Sequence, residues 1–242
     1  MAGLTTGGPN VDVGLLYEIN GLARQAPGWF DRAVTLAGEY GILLALVLLV
    51  LWCWRSARRQ DEDTAVEAFA ALAWAPLAAG LALLVNVPLR ELVGRPRPFR
   101  QHEGLQVLDT GLGTGFAKSD FSFVSDHATL AMALGVGLFI ANRKFGLAGI
   151  ALALAEGACR VYMGVHYPTD VVGGLALGTA VVLVLAPLAM ALLTPLVRAV
   201  AGSPRLGRLV RAKSRRLAVP VGLAQANTPP AGRRTPESDL AA

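Results

Sequence analysis

Long apolar runs separated by short polar loops dominate this chain. A helix that crosses a membrane needs about 20 consecutive apolar residues, and five segments approach or exceed that length. They cover residues 33–54, 66–89, 127–142, 146–163 and 169–196. Because 54% of the residues are hydrophobic and only 16% are charged, a water-soluble domain is excluded. The pattern predicts an all-α fold, a polytopic membrane bundle of about five transmembrane helices.

The segment before the first apolar run has a different pattern. Apolar residues recur there at helical spacing and lie opposite polar ones, which predicts an amphipathic helix at the membrane interface. The apolar set is Leu15, Leu16, Ile19 and Leu22, and the polar set is Asp12, Glu18 and Asn20. Residues 1–9 are rich in Gly and Thr and are expected to be flexible, so the predicted membrane domain covers 10–197.

A basic tail, 198–242, follows the last apolar run and holds nine of the 22 lysines and arginines. Such a tail can bind nucleic acid, but directly after a span it favours retention on the cytoplasmic side and attraction to anionic lipid. We expect it to be disordered. The basic segments 55–59 and 143–144 would lie on the same side, which puts the N-terminus outside. The loop 90–126 carries five basic residues and opposes this orientation, so its arginines need another explanation.

Alternation of the spans brings three polar motifs to one face of the membrane. The first motif contains four arginines, Arg90, Arg95, Arg97 and Arg100. Guanidinium groups stay charged at physiological pH and offer paired donors that match phosphate oxygens. Taken alone, the motif would also fit arginines that reach up to lipid headgroups.

The second motif opens the third apolar run. Ser125 is placed to cap a helix, so the first backbone amides of that helix would form an anion site. His127 lies in the same first turn. Imidazole has the side-chain pKa nearest neutrality, which suits His127 to protonate a leaving oxygen. A capping serine beside an interfacial histidine would give the same pattern.

The third motif joins the fourth and fifth apolar runs. Pro168 suits the first turn of a new helix, so His166 would precede that helix and Asp170 would hold the second imidazole nitrogen from inside it. Arg160 would bind the same phosphoryl group. Glu156, one turn earlier, forms an i,i+4 pair with Arg160 and is expected to position it, because ionisable residues within spans are usually paired or functional. A purely structural contact is the alternative.

The three motifs resemble the signatures of the type 2 phosphatidic acid phosphatase (PAP2) family. Those signatures are Lys-x6-Arg-Pro, Pro-Ser-Gly-His and Ser-Arg-x5-His-x3-Asp. The chain has Arg90-x6-Arg97-Pro98, Val124-Ser125-Asp126-His127 and Cys159-Arg160-x5-His166-x3-Asp170. Their order and spacing agree, and the resemblance covers about residues 10–195 but not the tail.

The resemblance implies metal-independent hydrolysis of a lipid phosphate, with no cofactor and no nucleic acid. His166 would attack phosphorus to form a phosphohistidine, and Asp170 would orient it. His127 would protonate the departing oxygen and then activate water. The remaining implied residues are the phosphate-binding set Arg90, Arg97, Arg160 and Ser125. Asp126 is expected to support this site, as is Glu156 through its pairing with Arg160.

The sequence Ser-Asp-His and the N-terminal segment 16–23 are similar to the bacterial undecaprenyl pyrophosphate phosphatase branch of that family. This implies a polyprenyl diphosphate substrate, cleaved to the monophosphate for recycling of a cell-wall lipid carrier. The active site would then lie at the outer face of the plasma membrane. Phosphatidic acid, phosphatidylglycerol phosphate or a prenyl-linked sugar phosphate would use the same catalytic groups. Oligomeric state stays open.

Four residues depart from the family pattern. Arg90 replaces Lys and keeps the charge. Val124 replaces Pro, which we expect to loosen the approach to Ser125. Asp126 replaces Gly and puts a negative charge beside an anion site, and Cys159 replaces Ser and removes a hydroxyl donor. No proposed catalytic group is lost, but an inactive homologue that binds headgroups is the alternative from a different functional class.

Overall fold

Helices account for nearly all of the described chain in the computed structural model, which covers residues 10–108, 121–203 and 207–210. The α-helices are α1 Val11–Gly21, α2 Gly28–Leu36, α3 Ile42–Ala57, α4 Glu62–Val93, α5 Pro98–Gln101, α6 Asp126–Ala141, α7 Arg143–Tyr162, α8 Pro168–Gly202 and α9 Gly207–Val210. A 3₁₀ turn, Leu22–Arg24, follows α1, and a π-helical segment, Ala37–Gly41, joins α2 to α3. Within the described ranges, β pairing is limited to one bridge between Pro96 and Phe121.

Four helical stretches are long and apolar enough to cross a membrane: Gly28–Ala57, Glu62–Val93, Arg143–Tyr162 and Pro168–Gly202. The fifth predicted span corresponds to α6, which has 16 residues and a length of about 24 Å, less than the hydrocarbon thickness of about 30 Å. Most of α6 is buried among α4, α7 and α8, so protein rather than lipid surrounds it. The predicted all-α membrane bundle is confirmed.

Glycines let α8 lie directly against the backbone of α6. A Cβ atom at Gly174 would stand 2.7 Å from the carbonyl oxygen of Ser125, and one at Gly178 would stand 2.5 Å from that of Thr129. No larger side chain fits at that distance. The two helix starts are also joined directly, because the amide of Ser125 donates to the carbonyl oxygen of Asp170 at 3.1 Å. This contact brings the second and third motifs together.

The N-terminal helix α1 forms as predicted, but its two faces differ from the predicted division. Leu16 is fully buried, whereas Leu22, in the turn after α1, is 58% exposed. Asn20, which the sequence assigned to the polar face, is also fully buried. Its side chain donates to the carbonyl oxygens of Gln106 and Tyr162 and accepts from the amide of Gln106, each at 2.8 Å. These bonds satisfy the buried amide, so α1 is fixed to the protein on a side expected to face water.

The last long helix extends past the predicted end of the membrane domain at residue 197. α8 continues to Gly202, and the short helix α9 follows. The first part of the predicted disordered tail, 198–242, is therefore helical. The remainder of that tail, from 211, and the predicted flexible segment 1–9 lie outside the described residues.

Candidate active site

The three sequence motifs meet at one end of the bundle, where α4 and α7 end and α6 and α8 begin. The loop after α4 pairs with the loop before α6 through the Pro96–Phe121 bridge. Beside that bridge the amide of Ser122 donates to the carbonyl oxygen of Arg95 at 2.8 Å. The first motif is thereby held against the second by backbone contacts.

His166 lies in the turn between α7 and α8 and is 5% exposed. Its Nδ1 atom is 2.9 Å from the carbonyl oxygen of Ser122 and 3.8 Å from Oδ2 of Asp170. The nearest acceptor of Nδ1 is thus the Ser122 carbonyl rather than the Asp170 carboxylate that the sequence predicted. A carbonyl accepts only, so Nδ1 carries the proton and Nε2 keeps its lone pair. This tautomer suits a nucleophile.

Asp170 is fully buried in the first turn of α8. Its Oδ2 accepts from the amide of Tyr167 at 3.0 Å, and its Oδ1 accepts from the guanidinium of Arg95 at 2.9 Å. Each carboxylate oxygen is therefore bonded to a different partner, which fixes the plane of the group beside His166.

Ser125 and His127 occupy the start of α6. Ser125 is the N-cap of that helix, as its position predicts, and its Oγ accepts from the amide of Ala128 at 3.4 Å. His127 is 7% exposed, and the charges of Arg97, Arg160 and His166 act on its imidazole. The structure therefore brings both predicted catalytic histidines and two of the predicted phosphate-binding arginines into one region.

The predicted arginines Arg90 and Arg97 have different surroundings. Arg97 is 5% exposed and donates to the carbonyl oxygen of Val165 at 3.4 Å. Burial, together with the neighbouring charge of Arg90, lowers the pKa of Arg97, although a guanidinium remains charged at neutral pH. Arg90 forms an ion pair with Asp126. The charge of Arg90 is thus compensated by a carboxylate within the site.

Asp126, the supporting residue that seemed unfavourable beside an anion site, is held by two donors. One is Arg90 and the other is the side-chain amide of Asn86, which donates at 2.6 Å. Asn86 also donates to the carbonyl oxygen of Val124 and accepts from its amide, at 3.0 and 3.3 Å. The expected loosening at Val124 is therefore wrong, because a proline there would lack the amide that Asn86 binds.

Arg160 is 3% exposed and donates from all three guanidinium nitrogens to protein acceptors. Nε bonds Glu156 at 2.8 Å, as the i,i+4 spacing predicts, one terminal nitrogen bonds Glu39 at 3.0 Å, and the other bonds the carbonyl oxygen of Gly38. A guanidinium has five N–H groups, and these three bonds use one from each nitrogen.

Cys159, adjacent to Arg160, packs toward the N-terminal helices. A Cβ atom at Gly38 would lie 3.0 Å from the Cβ of Cys159. Cys159 also lines an apolar groove of about 350 Å³, together with Phe30, Val34 and Tyr162. Cys159, where the family has serine, thus lies against the π-helical segment and lines the same apolar groove as Phe30 and Val34 of α2.

A comparison with known protein families decides the class of this site. The family model of the PAP2 superfamily matches residues 71–193, which is just over half of the chain. The chain belongs to the PAP2 superfamily. Known members are similar over most of this PAP2 protein. It is 28% identical to undecaprenyl-diphosphatase BcrC of Bacillus subtilis over 146 residues, which cover 60% of this chain and 67% of the relative.

A second relative is the decaprenylphosphoryl-5-phosphoribose phosphatase of Mycobacterium tuberculosis. It is 30% identical over 179 residues, which cover 72% of this chain and 88% of the relative. The fold is similar to the crystal structure of a transmembrane PAP2-type phosphatidylglycerolphosphate phosphatase from Bacillus subtilis. That similarity has a TM-score of 0.50 at 22% identity and covers 76% of this chain and 89% of the other. The protein is therefore a multi-pass membrane phosphatase of lipid phosphates.

Several residues of this PAP2 site were not found by the sequence motifs. Ser122 binds His166, Asn86 binds Asp126, and Glu39 binds Arg160. Glu39 and Asn86 lie inside apolar spans, where polar residues are costly and usually have a function, so the sequence did contain a signal for them. The carbonyl of Ser122 had none, because any residue type can supply it.

Burial lowers the pKa of His166 below its ordinary value of 6.5. The positive charges of Arg97 and Arg160 lower this pKa further, while the negative charge of Asp170 acts in the opposite direction. The neutral imidazole is the nucleophilic form. At a pH below this lowered pKa, His166 is protonated and cannot attack phosphorus. At a pH above it, His166 is neutral and active.

We therefore predict that the acid limb of kcat/KM falls at a pH below about 6.5, the pKa of an unperturbed histidine. The profile should be measured with two lipid phosphates whose own ionisations differ. An acid limb that appears at the same pH with both substrates reports an ionisation of the enzyme and not of the substrate. A common limb centred at or above the ordinary histidine value would contradict the prediction.

Proposed function

We propose that this protein hydrolyses undecaprenyl diphosphate to undecaprenyl phosphate and inorganic phosphate at the outer face of the plasma membrane. The observation that carries the chemistry is the buried His166, whose Nδ1 is bonded to the Ser122 carbonyl, beside a second buried histidine. The substrate is supported by similarity to a relative named undecaprenyl-diphosphatase. The reaction would return a cell-wall lipid carrier to its monophosphate form.

In the first step Nε2 of His166 attacks the terminal phosphorus and forms a P–N bond. The bond from that phosphorus to the bridging oxygen breaks, and the oxygen leaves with the lipid phosphate. His127 donates the proton that neutralises the leaving oxygen. The products of this step are the lipid monophosphate and a phosphohistidine.

In the second step water attacks the phosphohistidine. His127, now neutral, accepts a proton from that water, and the P–N bond breaks with its electron pair returning to Nε2. Inorganic phosphate leaves and both histidines regain their starting states. One water molecule is consumed for each diphosphate, so atoms and protons balance over the cycle.

The oxyanions of both steps would be bound by Arg90, Arg97 and Arg160 and by the amides at the Ser125 helix start. Preorganised donors in a site with little water stabilise a developing negative charge strongly. In this proposal the arginines supply the charge neutralisation that magnesium supplies in many phosphoryl transfers. Asp126 and Glu156 would hold Arg90 and Arg160 in place through the ion pairs described above.

A small apolar pocket lies beside the proposed general acid. Leu43 of α3, Leu83 of α4 and Leu130 of α6 line it, together with His127 and Asp126. An apolar wall beside the proposed general acid suits the lipid chain of the leaving group, because the leaving oxygen must lie next to His127.

A second candidate is hydrolysis of a prenyl-linked sugar phosphate. It is supported by the Mycobacterium tuberculosis relative, which matches 72% of this chain. The catalytic groups would act in the same way, with a sugar hydroxyl as the leaving oxygen in place of a lipid phosphate.

The test is phosphate release by purified protein in detergent with EDTA present. Undecaprenyl diphosphate, decaprenylphosphoryl-5-phosphoribose and phosphatidic acid are compared by kcat/KM. We expect the diphosphate to be preferred and EDTA to leave the rate unchanged. Preference for the sugar phosphate would favour the second candidate, and preference for phosphatidic acid would discard both prenyl substrates. Release from none of the three would make the protein an inactive homologue.

A further inference from the structure

Arg95 belongs to the first motif but is outside the predicted phosphate-binding set, and its contacts lie on two different helices. One terminal nitrogen donates to Oδ1 of Asp170 at 2.9 Å and to the hydroxyl of Thr169 at 2.7 Å. The other donates to Oδ2 of Asp12 at 2.5 Å. The guanidinium also stacks on the ring of Tyr167, 3.5 Å from its centroid. Arg95 therefore connects the N-terminal helix α1 with the start of α8.

Asp12 makes further contacts to the same helix start. Its Oδ1 accepts from the amide of Thr169 at 2.9 Å, and its Oδ2 accepts from the Thr169 hydroxyl at 2.7 Å. The amide of Thr169 is one of the first of α8 and has no partner within that helix. Asp12 thus caps α8 from another helix and carries the negative charge that Arg95 binds.

The helix that carries Asp12 is seated on the site by apolar packing. Leu16 is fully buried in a cluster with Ala128, Val161, Tyr167 and Val171. Those residues belong to α6, to α7, to the turn before α8 and to α8. Leu16 of α1 therefore shares one buried cluster with the elements that carry the second and third motifs, which seats the helix that carries Asp12 against the site.

We propose that Asp12 and Arg95 are positioning residues that orient Asp170, and through it His166, so that α1 is a working part of the active site. This inference rests on the proposed phosphatase function. Arg95 binds one oxygen of Asp170, and Asp12 fixes Arg95 from the far side. Neither residue is required to touch the substrate.

The chain Asp12–Arg95–Asp170 alternates in charge, so Arg95 and Asp12 influence the pKa of His166 with opposite signs. Other charged or titratable groups in that region are Arg97 and Arg160, which affect His166, His127, which His166 affects, and Tyr167, which interacts with Arg95, Asp170 and Asp12. Removing the positive charge of Arg95 leaves the Asp170 carboxylate less compensated and favours imidazolium. Removing the negative charge of Asp12 favours the neutral imidazole.

The experiment compares Asp12→Asn and Arg95→Gln with a matched control, Glu18→Gln. Glu18 is an exposed carboxylate on the same helix. We expect both test variants to lower kcat between about 10-fold and 100-fold, the usual effect of misplacing a catalytic group or losing its orienting partner. KM should change by much less. The acid limb of kcat/KM should move to lower pH in Asp12→Asn and to higher pH in Arg95→Gln.

Two results would overturn the inference. One is an Asp12→Asn enzyme whose kcat and acid limb equal those of Glu18→Gln. The other, decisive if Asp12→Asn folds poorly, is an Arg95→Lys enzyme whose acid limb is displaced as far as that of Arg95→Gln, although the lysine keeps the positive charge. If wild type and Glu18→Gln release no phosphate from any lipid, the proposed function fails instead, so the two failures are distinguishable.

Discussion

Replacing His166 by alanine is expected to reduce phosphate release from undecaprenyl diphosphate to below about 10⁻⁴ of the wild-type kcat, since removal of a nucleophile eliminates the covalent route. The variant should fold normally. His166 makes one hydrogen bond from Nδ1, and its position in a turn interrupts no helix. Thermal unfolding in detergent, measured beside activity, separates the chemical effect from a structural one.

The intermediate itself can be trapped. Wild-type protein is mixed with substrate labelled in the terminal phosphate and quenched in alkali within milliseconds. A phosphohistidine survives alkali and is lost in acid, and the label should be absent from the His166→Ala variant. His102→Ala is the matched control, because His102 is the third histidine of the chain and is outside the proposed chemistry. Label that survives acid, or label retained without His166, would contradict the mechanism.

The sequence predicted the spans well because their cause is local. A bilayer removes water from backbone groups, so helices must satisfy them internally, and apolar runs of the right length leave little choice. Two of the predicted spans, 66–89 and 169–196, lie inside α4 and α8 respectively. The alternation of spans also predicted that the three motifs lie on one face, because the chain changes sides of the membrane at each span.

What the sequence could not predict depends on side-chain direction and on partners far apart in the chain. Asp12 and Arg95 are separated by 83 positions, and no periodicity relates them. His166 and Asp170 have the spacing of an orienting pair, yet the loop before α6 places the Ser122 carbonyl nearer to Nδ1. Packing between elements determines which acceptor lies nearer to Nδ1. The Ser122 carbonyl lies at 2.9 Å and Oδ2 of Asp170 at 3.8 Å, so a small shift of the loop would reverse their order.

Replacing Arg160 by methionine is expected to destabilise the protein by about 3–5 kcal/mol, the usual effect of breaking a buried ion pair from one side. Glu156 is fully buried and the Glu39 side chain is 11% exposed. Within the described residues the second oxygen, Oε2, of Glu156 has no hydrogen-bond partner, so Arg160 compensates most of its charge. Melting temperature and yield of monodisperse protein report the loss. Arg198→Met is the control, because the Arg198–Asp63 pair is exposed and 3.8 Å long, and such pairs contribute little.

The triple variant Arg160→Met, Glu39→Gln, Glu156→Gln distinguishes two roles of the same guanidinium. Neutralising both acids removes the uncompensated buried charge, so the melting temperature should recover much of its loss. If Arg160 also binds the phosphoryl group, activity should stay reduced by on the order of 10² or more, the effect of losing one oxyanion donor. Recovery of both the melting temperature and the activity would make Arg160 a structural residue and would leave Arg97 and Arg90 to bind the phosphate. Recovery of neither would mean that the ion network is needed for the packing of α7 against the π-helical segment, because that is where Arg160 joins the two.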